Sequence, residues 1–113
     1  MTYHISLFDN QSPRSILTAN PVADRDTYFI LPESNRNPEH NVEVNRGNWS
    51  SYDEAFPSAN FIYTGRQAYC FWDSGKSQIF LCDQEGNKKV WDKSAGDLTL
   101  TIDENGSIEF TRN

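Results

Sequence analysis

Long hydrophobic runs are missing from this chain: no apolar stretch approaches the roughly 18 to 20 residues of a membrane-spanning helix. Positive charge is scarce as well. Lys plus Arg number 10 against 16 Asp plus Glu, a formal net charge of -6. Such a surface repels phosphate backbones, so a nucleic-acid partner is not expected. Histidine is limited to His4 and His40 and cysteine to Cys70 and Cys82, with no pair at metal-ligand spacing, so neither a metal nor a cofactor is expected. The segment from Met1 to Phe8 has neither a basic stretch nor a long apolar one of the signal-peptide kind, which points to the cytoplasm.

Catalytic signatures are absent too. There is no Gly-x-Ser-x-Gly elbow, phosphate-cradling glycine loop, His-Glu-x-x-His pair or dinucleotide fingerprint. Cys70 lies in the apolar run Tyr69-Cys70-Phe71-Trp72, away from the electropositive setting that activates a thiol, so packing rather than nucleophilic chemistry with His4 is its expected role. The acidic pairs Asp24 with Asp26 and Asp53 with Glu54 read as solvated surface. Oxygen-rich stretches at Asp83, Glu85 and Asn87 and at Asp103, Glu104 and Asn105 suit calcium chemically, but tight turns select these residue types anyway. The chain is therefore expected not to be an enzyme.

What is present is punctuation. Pro13, Pro21, Pro32, Pro38 and Pro57 all lie in the first half, whereas Gly65, Gly75, Gly86, Gly96 and Gly106 recur every 10 or 11 residues. Turns at that interval, with β-branched and aromatic residues between them, mark an antiparallel meander. The expected fold is all-β: one domain over residues 1–113, a β-sandwich or barrel. Its C-terminal meander has five to six strands, and two or three N-terminal strands close it. Those strands read at Tyr3 to Phe8, Thr27 to Leu31 and Val42 to Val44, with a polar loop over 33–41. At most one short helix fits, at Ser50 to Phe56, where serines cap, Asp53 and Glu54 occupy the first turn and Pro57 ends it.

The last hairpin can be read in detail. Leu98, Leu100 and Ile102 alternate with polar residues, as do Ile108 and Phe110. A two-residue Asn105-Gly106 turn would mix the faces. A three-residue loop, Glu104-Asn105-Gly106, pairs Ile102 with Ile108 and Leu100 with Phe110. The same construction sorts Tyr69, Phe71, Ile79, Leu81 and Trp91 to the core face. Ala68, Cys70, Trp72, Gln78, Phe80, Cys82, Lys88 and Val90 fall on a mixed face. With the loop at Asp73-Ser74-Gly75, Cys70 faces Gln78 and Cys82 lies four residues, about 13 Å, further along. Two free, half-buried thiols are expected.

Aromatics supply the functional lead: 3 Trp, 5 Tyr and 7 Phe. Trp49 stands in the polar stretch Gly47 to Asp53 with Tyr52 nearby, and Trp72 stands beside a turn on the mixed face. A flat ring among amides and carboxylates stacks on a sugar while the polar groups bind its hydroxyls, and the same combination makes a protein-binding hot spot. The expected site is Trp49, Tyr52 and Trp72 as stacking surfaces with Asn48, Asp53 and Gln78 as hydrogen-bonding groups. The expected function is a non-catalytic recognition domain, carbohydrate-binding and lectin-like, for a glycan. The alternative is an acidic protein-binding module, such as an inhibitor or immunity protein, for a basic protein. Gly86 to Trp91 followed by Leu98 to Phe110 looks loosely like one repeat of the bulb-type mannose-binding lectins. That family's Gln-x-Asp-x-Asn-x-Val-x-Tyr sugar motif is absent, so no residue role is carried over.

Overall fold

The computed structural model describes residues 2–21, 29–38, 40–56 and 58–113. In chain order they form β1 (Tyr3–Asn10), β2 (Ile16–Ala19), β3 (Phe29–Leu31), β4 (Asn35–Asn37), β5 (Val42–Glu43) and α1 (Tyr52–Ala55). There follow β6 (Asn60–Tyr63), β7 (Ala68–Asp73), β8 (Gln78–Asp83), β9 (Lys88–Asp92), β10 (Gly96–Ile102) and β11 (Ile108–Arg112). The strands make two sheets. One runs β11-β10-β1-β4, with β5 also paired to β1; the other runs β3-β2-β6-β7-β8-β9. They stack as a sandwich and do not close into a barrel.

Burial of one face per strand explains the layering. Ile5, Phe8, Leu98, Leu100 and Phe110 from the first sheet meet Ile16, Ile62, Phe71, Ile79 and Leu81 from the second. A bulge between Ile5 and Leu7 in the β1–β10 register makes this possible. Tyr3 and Ile5 point inward before it, Phe8 and Asn10 after it, so the extra residue exchanges which parity faces the core.

The last hairpin takes the register that face matching selects: Leu100 opposes Phe110 and Ile102 opposes Ile108. Gly106 adopts φ 86°, the left-handed conformation that the third loop position requires. The core face of the central strands also stands as expected. Phe71, Ile79 and Leu81 are buried between the sheets, and Tyr69 and Trp91 pack against them.

Three details differ from the sequence reading. First, the six strands after residue 60 are divided: β6 to β9 form a meander in one sheet, then the chain crosses at Gly96 so that β10 lies parallel to β1. Second, β7 and β8 turn through Gly75 to Ser77 rather than Asp73 to Gly75. Ser77 takes the left-handed position, φ 57°, and Cys70 lies opposite Cys82 instead of Gln78. The shift is even, so the two faces survive it. The thiols are free and buried, but directly apposed rather than about 13 Å apart. Third, the first half holds two unforeseen strands. β2 is one of them. The other is β4, three polar residues within the expected loop, which pair Asn35, Arg36 and Asn37 with the open edge of β1. Residues 27 and 28 of the strand expected at Thr27 to Leu31, and the pair Asp24 and Asp26, lie outside the described residues.

Buried amides hold the irregular N-terminal half. Asn20 and Asn45 exchange side-chain bonds of 3.0 and 2.7 Å, and Asn60 accepts from Asn45 N while donating to Glu43 O. Asn10 donates to the carbonyls of Arg14, Leu31 and Pro32. The Asn10 and Asn60 amides thereby satisfy backbone groups of the irregular segments, while Asn20 and Asn45 satisfy each other.

Candidate functional site

The outer face of the six-stranded sheet carries every ring proposed from the sequence. Its centre is covered by residues 47–56 together with Ser58 and Ala59. Ser51 caps α1 by accepting from Glu54 N at 3.2 Å, and the helix lays Ala55 onto the strands. Small side chains allow close approach here: Ala55 and Ala59 join Cys70, Trp72 and Cys82 in a second buried cluster, flanked by Trp49, Tyr52 and Phe80.

That cover sets the surroundings of the expected site residues. Trp72 is 0% exposed, its ring edge-on to Trp49 at 5.7 Å and to Phe80 at 5.9 Å, so it offers no face to a soluble ligand. Its indole N–H is buried and finds no hydrogen-bond partner among the described residues. Trp49 is half-buried and folded over Gly47, where an added Cβ would overlap its ring. Tyr52 is half-buried and stacked on Phe56, 5.8 Å between centroids with planes 11° apart. Burial raises the Tyr52 phenol, with smaller contributions from Cys70 and Asp53. Asn48 and Asp53 are exposed. Gln78 lies on the same sheet face, its amide donating to Asp92 Oδ1 at 3.0 Å. The structure thus gathers Trp49, Tyr52 and Trp72 into one cluster, but as the packing beneath the cover.

Two features beside the cover are accessible. Tyr52, Asp53 and Ser51 form one wall of a groove of about 250 Å³, and Gln84, Glu85 and Gly86 form the other. On the opposite side lies an apolar surface. The register sets Leu17 between Ile30 and Tyr63 in one cross-strand row. Phe61, two residues from Tyr63 and opposite Ala19, meets Phe56 edge-on at 6.0 Å. Ile30, Phe56 and Tyr63 are 56%, 49% and 42% exposed. Sequence reasoning missed this surface because its members come from four elements, and each reads alone as ordinary strand or helix-end hydrophobicity.

The acidic turns are occupied by their own backbone. Asp83 Oδ1 accepts from Glu85 N and Asn87 N, and its Oδ2 from Asn87 Nδ2, all at 2.9 Å. Burial pushes the Asp83 carboxyl up, but the bonds from Asn87 and Glu85 outweigh it and hold the group below its ordinary value. Asp103 accepts likewise from Asn105 N and Ser107 N. Among the described residues, no three His, Cys, Asp or Glu side chains converge to hold a metal ion, and no helix is long and apolar enough to cross a membrane.

No family model matches the chain, and comparison with curated proteins and with solved structures gives no match either.

Proposed function

We propose that this is a non-catalytic recognition domain that binds a protein through the outer face of its six-stranded sheet. The observation that carries this reading is the contiguous apolar surface of Ile30, Leu17, Tyr63, Phe61 and Phe56, three of whose side chains are about half exposed. Scattered exposed hydrophobics need no explanation, whereas a contiguous group marks an interaction site. Tyr63 and Phe56 are anchor residue types, with large contact area and few rotors to immobilise. The whole chain carries a net charge of -6. The matching partner has an apolar centre and Lys or Arg around it, and charge complementarity speeds its capture.

Carbohydrate binding is the second reading, and the groove beside Tyr52 favours it. One aromatic ring stands there with Ser51, Asp53, Gln84 and Glu85, the combination of flat surface and polar groups that sugars use. Parallel probing of a protein array and a glycan array separates the two. Protein binding is expected to weaken with salt and to be lost in Ile30→Ser/Tyr63→Ser. Glycan signals lost in Tyr52→Ala, with no protein signal, would favour the sugar reading instead.

A further inference from the structure

The two cysteines of the chain, Cys70 and Cys82, stand directly opposite each other on β7 and β8. The hairpin's bonding pattern fixes their spacing. Ser74 N donates to Gln78 O at 3.1 Å, and bonded and non-bonded pairs alternate along an antiparallel ladder. Four steps back from Ser74 and Gln78, Cys70 and Cys82 form a bonded pair, with Cα atoms about 5.5 Å apart. That separation lies inside the disulfide window of about 4.4–6.8 Å. The Cβ atoms of such a pair stand about 5.5 Å apart, wider than the roughly 3.8 Å that a relaxed disulfide prefers. Bridging the pair therefore pulls in the pleat beneath Ala55 and Ala59, and a strained bridge is easily reduced again.

We propose that Cys70 and Cys82 are a reversible redox pair, oxidised to a cross-strand disulfide by a low-molecular-weight disulfide of the glutathione class, with the cover of residues 47–56, Ser58 and Ala59 gating access. The step balances. The first cysteine, as thiolate, attacks one sulfur of the oxidant and expels one small thiolate, leaving a mixed disulfide on the protein. The second attacks the protein-side sulfur and expels the other. Two protons and two electrons pass from the cysteines, and two small thiols are released. Cys82 attacks first. It is the more exposed of the two, and although burial holds its thiol above the ordinary value, the Lys88 ammonium across the β8–β9 ladder offsets part of that rise. Cys70 is wholly enclosed, its thiol pushed up to about 12 by burial and by Cys82. Neither sulfur is reached until the cover lifts, so the oxidation rate follows local opening of that segment. The cysteine pair itself is not part of the recognition surface, although Phe56 belongs to both that surface and the cover, and its oxidation is read by mass rather than by binding, so the two proposals fail separately.

The native full-length chain, incubated with oxidised glutathione, supplies the test, read by intact mass with far-UV circular dichroism in parallel. The expected product has lost the mass of two hydrogen atoms, retains no glutathione and reverts with excess dithiol. Ser51→Ala, which loosens the cover, is expected to accelerate its formation several-fold. A stable glutathione adduct that never closes would overturn the proposal. So would closure that proceeds only at denaturant concentrations where the strands have melted.

Discussion

At the scale of single residues, Trp72 shows how burial overrides chemical promise. A large ring beside a turn reads as a ligand platform, yet it is enclosed by Trp49, Phe80 and two alanines. Replacing it with alanine is expected to cost about 3–5 kcal/mol, measured by urea unfolding. Trp72→Phe is expected to cost clearly less, because it keeps most of the ring and removes the orphaned N–H. Asp83 gives a pH signature. Its carboxyl is held below the ordinary value, so the folded state gains stability from it above the unfolded-state pKa and loses that gain as pH falls through the folded one. Asp83→Asn is expected to flatten the acid limb of the stability profile, and an unchanged limb would show that other carboxylates set it. The place of Asp83 in a tight turn was legible in sequence, whereas the burial of Trp72 was not. The cover over Trp72 comes from a polar-looking segment some twenty residues earlier, whose two alanines give no signal of their own.

At the scale of elements, legibility followed the turns. The β10–β11 register could be read because glycine fills its left-handed position; the β7–β8 register could not, because Ser77 fills that position and Gly75 sits elsewhere in the loop. Alternation still sorted both strands to the right faces. β4 was hidden because its pairing with β1 rests on backbone bonds that polar side chains do not advertise. Two glycines, one in the β8–β9 turn and one in the cover, make contrasting predictions. Gly86→Ala meets open space at φ 91°, so its cost is backbone strain alone, about 1–2 kcal/mol. Gly47→Ala instead collides with the Trp49 ring and is expected to change tryptophan fluorescence as well as stability. Removal of the α1 cap in Ser51→Ala is expected to cost about 0.5–2 kcal/mol, with the loss confined to amides of the cover in hydrogen exchange.

At the scale of the whole molecule, the fold class was visible because evenly spaced glycines and alternating strands both demand a β architecture. The division of six strands between two sheets was not, since nothing local to Gly96 marks a crossing rather than another hairpin. The sandwich leaves one sheet face only partly covered, and function is assigned to what the cover omits. That assignment is tested most directly by titrating a purified basic protein, first identified on the array, against the wild-type chain and the Ile30→Ser/Tyr63→Ser variant at two salt concentrations. The account predicts at least a tenfold loss, about 1.4 kcal/mol, in a variant whose unfolding midpoint is little changed. Equal affinity in the two chains would place the binding surface elsewhere.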